Sequence, residues 1–415
     1  MRVLLASSAS HVPPRGGSTR SNLAWLEQLS KSGHVCRVIG GTVPATNPEQ
    51  IQHVRRELED LQFERPPVEV QSIADPVRRA AALAQQIRDF HPDWVLVSSE
   101  DIGQALLRAA HENAPGRVVY LAHTPQFYPF GPASWNRDAE GTELVARAAA
   151  VVAIGQHTAA YIRKHAGCRV EVIHPPIYGS GPFARCVAAD GPVLMINPCA
   201  VKGISIFVAL AARFPDGTFS AVPGWGTTPQ DRRALAALPN VHLLRNSKNI
   251  DDVLARTSVL LMPSLWLEGF GLIVVEAMLR AIPVIASDSG GLVEAKLGTN
   301  FVIAVRKIEE YEPVFDDQGL PRAVLPEQDI EPWAAALDAL LRDRDLYERE
   351  SAASREAALG FVDALRPGRF EEFLLGLAPG EPLARRADAL EGLSPDKRAL
   401  LLERLRAASK TSRGT

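Results

Sequence analysis

Cysteine is scarce in this chain, and no cysteine has a neighbour at a spacing typical of a paired site. The 415 residues contain four cysteines and no C-x-x-C motif. This pattern excludes a disulfide framework and a cysteine-based zinc site. It predicts buried or free thiols in a reducing cytoplasm for Cys36, Cys168, Cys186 and Cys199.

Long apolar runs and a strong net charge are absent too. The first residues, MRVLLASSASHV, have too short an apolar stretch for a signal peptide, and no later run approaches the roughly 18 apolar residues of a membrane span. The formal net charge is −3, so no basic field favours nucleic acid as a partner. The sequence therefore predicts a cytoplasmic protein without a transmembrane segment.

Acidic and histidine clusters with metal-ligand spacing are also missing. The D-x-D sequence Asp343-Arg344-Asp345 is a metal–nucleotide motif in other proteins, but here it lies in a predicted turn between two helices. That turn is distant from the candidate site elements described below. We predict that the motif is structural and that the protein has no metal site.

What the chain does contain is a regular alternation of short apolar strands and helices, which is typical of an α/β protein with parallel sheets. Its length suffices for two cores, and residues 174–192 are rich in Pro and Gly and lack periodicity. We therefore predict an N-terminal domain over 1–180 and a C-terminal domain over 190–360. In such sheets, ligands bind beyond the carboxyl ends of the strands.

Two polar stretches interrupt the alternation. Residues 48–64 predict a polar helix, and the Pro-interrupted residues 306–329 predict a surface insertion or an extended loop.

The stretch from Pro263 to Gly291 carries the strongest functional signal. Glu268 and Glu276 frame a predicted helix start, and eight helical steps would put them roughly 12 Å apart. Carboxylates that act as a pair in retaining glycosidases lie about 5–5.5 Å apart, so these two are predicted to hold two ends of an elongated ligand. Between them, the Gly269–Gly271 backbone offers N–H groups to an anion. The alternative is an amphipathic helix with solvated glutamates.

The residues from Glu268 to Glu276, EGFGLIVVE, resemble the E-x7-E signature of retaining GT-B glycosyltransferases of family 4, and the following PVIASDSGG also fits that group. The resemblance implies two doubly wound Rossmann-like domains facing each other across a cleft, with a helix over 361–377 that crosses back to the first domain. It implies transfer of a sugar from a nucleotide diphosphate sugar with retention of configuration and no obligatory metal or cofactor. A UDP-sugar is the favoured donor, with GDP- and dTDP-sugars as alternatives.

The resemblance also implies residue roles. Glu268 lies beside the donor sugar, Glu276 binds the nucleotide ribose, and Lys202 contacts the donor diphosphate. Asn197 stands near the place where the family usually has an arginine, so a neutral hydrogen bond replaces a charged one there. Gly17 presents N–H groups to phosphate, or else forms only a tight turn. The predicted donor-binding residues are Gly17, Asn197, Lys202, Gly203, Glu268, Gly269, Phe270, Gly271, Leu272 and Glu276.

His123 follows a predicted strand, at the end where ligands bind. A histidine at this strand end lies near the reacting sugar in family 4, so the resemblance makes His123 and Glu268 the expected catalytic residues. The loop after it is apolar enough to line an acceptor pocket through Phe127, Tyr128 and Trp135. The alternative is that this loop packs onto its own domain.

The tail over 378–415 has a different character. Basic and acidic residues alternate over 383–408, and the segment 393–406 resembles short linkers between modules of nonribosomal peptide synthetases. This implies contact with a megasynthase and a natural-product acceptor, either a small molecule or a carrier-bound one. A solvated helical tail, a polysaccharide or lipid acceptor, a sugar-nucleotide epimerase and a catalytically silent scaffold remain alternatives.

Overall fold

The computed structural model describes residues 1–43, 68–179, 181–185, 190–247, 249–317 and 319–380. The predicted helix over 48–64 and the predicted tail segment 383–408 lie outside these ranges. Cys36, Cys168 and Cys199 are free thiols, and Cys186 is not among the described residues.

A parallel sheet of seven strands forms the first half of the described chain. Its strands are β1 (Arg2–Ser10), β2 (Val35–Gly41), β3 (Glu69–Ser72), β4 (Trp94–Ser98), β5 (Val118–Ala122), β6 (Ala150–Ala153) and β7 (Glu171–Val172). The spatial order is β3-β2-β1-β4-β5-β6-β7. The accompanying helices are α1 (Gly17–Lys31), α2 (Pro76–Phe90), α3 (Ala105–Asn113), α4 (Ala139–Ala146) and α5 (Gln156–Ala166).

A second parallel sheet of six strands forms the other half. Its strands are β8 (Val193–Ile196), β9 (Phe219–Val222), β10 (Val241–Leu243), β11 (Val259–Met262), β12 (Val284–Ser287) and β13 (Val302–Ile303). The spatial order is β10-β9-β8-β11-β12-β13. The accompanying helices are α6 (Ile204–Arg213), α7 (Pro229–Ala236), α8 (Asp251–Leu254), α9 (Leu272–Leu279), α10 (Leu292–Ala295), α11 (Glu331–Arg342) and α12 (Arg344–Ala364).

In both sheets, helices form the described connections between parallel strands, and this confirms the predicted α/β class. The central strands are buried on both faces, which explains their continuous apolar runs. None of the helices in the described part of the chain combines the length and apolarity that a membrane crossing requires. The domain boundaries stay predictions.

The sequence predicted a surface insertion or an extended loop for residues 306–329. The extended loop is wrong for part of this segment. The segment includes an antiparallel hairpin of β14 (Tyr311–Phe315) and β15 (Pro321–Ala323). Each strand contains a proline, and proline in a sequence argues against a strand. An edge strand can nevertheless contain proline, because its missing N–H is not needed for pairing there.

The last described helix, α13 (Arg369–Gly376), returns to the first half of the chain. The Phe370 ring stacks on Trp25 of α1 with 4.9 Å between ring centroids. The Trp94 indole N–H donates to the Leu374 carbonyl at 3.2 Å. These contacts join the end of the chain to the first sheet.

Candidate functional site

The centre of the site is a buried ion pair between Lys202 and Glu268. Glu268 Oε1 accepts from Lys202 Nζ at 2.5 Å, from Ser264 Oγ at 2.5 Å and from Trp266 Nε1 at 3.0 Å. Lys202 lies in the turn after β8, and the other three residues lie in the loop after β11. Strands β8 and β11 are neighbours, so their carboxyl ends bring the two charges together.

Aromatic rings surround this ion pair. Lys202 Nζ lies 4.7 Å from the centroid of the Trp266 ring and 5.9 Å from that of Trp225, within cation–π range. Trp135, from the first half of the chain, lies 6.1 Å from Trp266 and 5.8 Å from Tyr311 of the hairpin. Phe127 packs edge-on against Trp135 at 5.2 Å. Two of the three predicted acceptor-side residues therefore lie beside this aromatic cluster.

The third of those residues, Tyr128, does not line an open surface. It is fully buried and its ring packs against Tyr120, Phe130 and Tyr161 in the core of the first half. Burial raises the pKa of its hydroxyl well above 10. For this residue, the alternative that the loop packs onto its own domain is correct.

Glu276 sits on α9 and is buried, with separate partners from those of Glu268. Its Oε1 accepts from Arg20 Nη2 at 2.9 Å, and its Oε2 is buried and has no hydrogen-bond partner among the described residues. Helix α9 starts only at Leu272, so the spacing of eight helical steps between the two glutamates does not apply. Arg20 was not among the residues predicted from the sequence. Its position in the first helical turn after the Gly16-Gly17 pair could have indicated a role at the site.

The segment Gly269–Gly271 lies at the seam between the two halves. Gly271 has φ 112°, a left-handed conformation that suits glycine, and α9 has no side-chain cap at its N-terminus. A helix N-terminus without a side-chain cap leaves backbone N–H groups that an anion could accept from. The Phe270 side chain is buried, 4.9 Å from the His174 ring, so only its backbone can serve a ligand.

Gly269 is in close contact with the first half of the chain. A Cβ atom at this position would lie 1.9 Å from the His123 carbonyl oxygen, and Thr158 Oγ1 donates to the Gly269 carbonyl at 2.8 Å. Gly17 is likewise close to the second half of the chain, since a Cβ atom added to it would lie 3.2 Å from Leu272 Cδ1. Each of these predicted phosphate-binding glycines thus lies close to the other half of the chain.

Replacing Gly269 by alanine should destabilise the protein by about 1–3 kcal/mol, because the methyl group has no room beside a backbone oxygen. The free energy of unfolding in urea measures this cost. Gly360→Ala is the matched control, since no atom of the described residues lies within 4 Å of its added Cβ in helix α12. The control should be neutral or more stable by about 0.5–1 kcal/mol. An unchanged stability of Gly269→Ala would contradict the close contact.

Asn197 adopts a left-handed conformation with φ 56° at the end of β8. Its Oδ1 accepts from the Gly226 N–H at 2.9 Å, and its Nδ2 is buried and has no partner within the described part of the chain. An N–H donor therefore remains where the family usually places an arginine. Gly203 lies in the next turn, against the Pro263 carbonyl.

His123 is buried at the end of β5. Its Nε2 lies 2.9 Å from Asn22 Oδ1, and its buried Nδ1 finds no partner in the ranges that the structure describes. Desolvation by burial lowers the pKa of the imidazole, which favours the neutral form. Asn22 was another residue that sequence reasoning missed.

No group of three His, Cys, Asp or Glu side chains within the described ranges is arranged to hold a metal ion.

Comparison with known proteins gives the family. Residues 15–178 match the family described as Glycosyltransferase Family 4, and residues 200–343 match the family described as Glycosyl transferases group 1. Among curated proteins, no sequence matches this chain.

Solved structures share the fold at low identity. The Anabaena protein HepE in complex with UDP and glucose is 17% identical with a TM-score of 0.61, over 91% of this chain and 100% of that one. A sucrose-phosphate synthase from Thermosynechococcus elongatus is 17% identical with a TM-score of 0.64, over 90% and 96%. A glycosyltransferase from Rickettsia africae is 14% identical with a TM-score of 0.58, over 90% and 97%. These likenesses confirm the predicted GT-B fold. The chain therefore has the GT-B fold, with a Glycosyltransferase Family 4 domain at residues 15–178 and a Glycosyl transferases group 1 domain at residues 200–343.

Proposed function

We propose that this protein transfers a sugar from a nucleotide diphosphate sugar to an acceptor hydroxyl, with retention of configuration and without an obligatory metal. The donor assignment rests on two buried polar atoms, one hydrogen-bond donor and one acceptor, that have no partner among the described residues. Within the described ranges, the buried Nδ2 of Asn197 has no acceptor, whereas the buried Oε2 of Glu276 has no donor. A diphosphate offers only acceptors and a ribose offers hydroxyl donors, so a nucleotide diphosphate matches both ends.

Each predicted residue has a role in this arrangement. Lys202, Asn197 and the backbone N–H groups of Gly17 and Gly269–Gly271 hold the diphosphate. Glu276 accepts from the ribose hydroxyls, with Arg20 on its other oxygen. Glu268 and His123 lie on either side of the transferred sugar. Gly203 and Leu272 shape the backbone at the start of α6 and α9.

The reaction exchanges one bond at the anomeric carbon for another. The bond from that carbon to the diphosphate oxygen breaks, the bond to the acceptor oxygen forms, and the hydroxyl proton passes to the departing diphosphate. Positive charge develops on the sugar and negative charge on the leaving group, so Glu268 and Lys202 oppose the two charges as they form. The resemblance to the signature of retaining enzymes supports retention.

A UDP-sugar is the proposed donor, with GDP- and dTDP-sugars as alternatives. The support is that HepE was solved with UDP and with UDP-glucose. The acceptor is proposed to be a hydroxyl compound, such as a product of a peptide or polyketide assembly line. Contact with a megasynthase would involve residues 383–408, which lie outside the described ranges.

A thermal shift series with UDP, GDP, dTDP and ADP tests the donor assignment. A nucleotide at about 100 times its Kd stabilises the folded state by roughly 2.7 kcal/mol, so UDP should raise the Tm clearly more than the others do. Incubation with UDP-glucose should then release UDP faster when an acceptor is added. No stabilisation by any of the four nucleotides would contradict the proposal and favour a catalytically silent scaffold.

A further inference from the structure

Two buried serines lie against the loop that carries Glu268, and the roles assigned above do not include them. Ser287 is the last residue of β12 and Ser289 follows shortly after it, and neither side chain is exposed to solvent. The Ser287 hydroxyl donates to the Ser264 carbonyl at 2.7 Å, and the Ser289 hydroxyl donates to the Trp266 carbonyl at 2.6 Å. We call Ser287 and Ser289 the serine clamp.

The serine clamp extends the pairing between β11 and β12 beyond the strands. Backbone pairing of the two strands ends at Met262 and Ala286, and the residue after Met262 is a proline. Proline has no N–H with which to continue a ladder. The serine hydroxyls make the next two contacts, and the Gly291 N–H then donates to the Glu268 carbonyl at 2.8 Å. Alternate residues of one segment thus hold alternate carbonyls of the other, up to Glu268 itself.

The two residues that the serine clamp holds are also donors to the Glu268 carboxylate. Ser264 Oγ and Trp266 Nε1 both donate to Glu268 Oε1. Each of these residues therefore links a clamp hydroxyl, through its own backbone, to the carboxylate. Because both links end on the same oxygen, they determine the direction of the carboxylate as well as the position of the loop.

The other side of the loop is held by the turn that contains Lys202. The Leu265 and Trp266 N–H groups both donate to the Val201 carbonyl, at 3.0 and 3.3 Å. Strand β11 lies between β8 and β12 in the sheet, and the loop after β11 keeps this arrangement. The loop therefore lies between the Lys202 turn and the serine clamp, so loss of a clamp hydroxyl releases it on one side.

Resting on the proposed function, we propose that Ser287 and Ser289 are positioning residues, which hold the Glu268 carboxylate beside the transferred sugar. A charge stabilises a transition state most when it is already in place and need not reorient. A displacement of about 1 Å can lower a rate by about 10²-fold. Binding of the nucleotide should not depend on the serine clamp, because Glu276 lies on helix α9 and pairs with Arg20.

Alanine variants of the two serines have a matched control in the same half of the chain. Ser287→Ala and Ser289→Ala each remove one clamp hydroxyl, whereas Ser289→Thr keeps it. Ser258 is equally buried, and its hydroxyl donates to the Pro192 carbonyl at 3.2 Å. It lies directly before β11, at the end of the strand away from Glu268. Ser258→Ala therefore removes the same kind of hydrogen bond at a distance from the site.

Single-turnover release of UDP from UDP-glucose and calorimetry with UDP measure rate and affinity separately. We expect Ser287→Ala and Ser289→Ala each to lower the rate by about tenfold and to change the Kd for UDP by less than about twofold. Ser289→Thr should recover most of the rate, and Ser258→Ala should keep it. All three alanine variants should lower the Tm by similar amounts, since each loses one hydroxyl-to-carbonyl bond.

A double-mutant cycle tests whether the serine clamp acts through Glu268. Once Glu268→Gln has removed the charge, the placement of that side chain should matter little. Adding Ser289→Ala to Glu268→Gln should therefore lower the rate by less than about twofold, in contrast to about tenfold in the wild-type background.

Amide hydrogen exchange over residues 264–271 examines the serine clamp without any turnover. Exchange should become faster in Ser287→Ala and Ser289→Ala, because the loop opens more often when one of its contacts is lost. Ser258→Ala should leave exchange in this segment unchanged.

Several results would overturn the proposal while leaving the donor site intact. Rate losses in Ser258→Ala as large as those in the clamp variants would make the serines purely structural, and so would full additivity with Glu268→Gln. Unchanged exchange in both clamp variants would show that the hydroxyls do not hold the loop, whether or not UDP binds. Failure of the wild type to bind UDP would instead contradict the proposed function itself.

Discussion

Replacing Glu268 by glutamine should lower kcat by about 10²- to 10³-fold and leave UDP affinity nearly unchanged. The glutamine keeps the shape of the side chain and one oxygen for the donors around it, namely Lys202 Nζ, Ser264 Oγ and Trp266 Nε1. It removes the negative charge beside the sugar. That charge matters most when the sugar becomes positive in the transition state, so the loss falls on turnover rather than on ground-state binding.

Single-turnover rates with UDP-glucose, together with UDP affinity by calorimetry, measure the two quantities separately. Glu309→Gln is a suitable control because Glu309 is an exposed glutamate of the same half. A double-mutant cycle with Lys202→Met should reveal strong non-additivity, since the two charged groups are in direct contact. A variant that loses UDP affinity while its kcat stays near the wild-type value would reverse the proposed role.

Replacing Glu276 by alanine should have the opposite profile. The carboxylate is proposed to accept from the ribose hydroxyls, and hydrogen bonds to a charged group contribute about 1.5–3 kcal/mol. The Kd for UDP should therefore rise by about 10- to 150-fold, with a smaller change in kcat at saturating donor. The unpaired Oε2 of Glu276 is the atom through which this effect arises.

The control for this variant is Glu356→Ala, at an exposed position of helix α12. Arg20→Ala provides a second comparison. Arg20 is 43% exposed on its side chain, so the ion pair with Glu276 should add little to stability. Equal and small effects of Glu268→Gln and Glu276→Ala on both rate and affinity would defeat the assignment of separate roles to the two glutamates.

The part of the site that could be predicted from the sequence is the part that is contiguous in the chain. Glu268, Gly269–Gly271 and Glu276 lie within one strand–loop–helix unit, so their order and spacing carry the signal directly. The alternation of strands and helices likewise predicted the α/β class and its ligand edge. These are local properties, and the backbone expresses them in almost any tertiary context.

Partners that come from distant parts of the chain could not be predicted in this way. Arg20 meets Glu276 only because α1 of the first half faces α9 of the second. His123 meets Asn22 only because the start of α1 lies against the end of β5. No spacing rule joins these positions, because sheet order is a property of packing.

Side-chain direction was the other unpredictable quantity. Tyr128 and Trp135 belong to one aromatic loop, yet Tyr128 enters the core of the first half while Trp135 packs on Trp266 and Tyr311 of the second. An irregular loop has no period that assigns residues to a face, in contrast to a helix or a strand. The sequence alone thus determined the fold class, the two-glutamate unit and the glycines around it, because local periodicity and backbone permissiveness specify them. Only the tertiary structure decided that Lys202 meets Glu268, that Arg20 meets Glu276 and that Asn22 meets His123, because those contacts join residues that lie far apart in the chain.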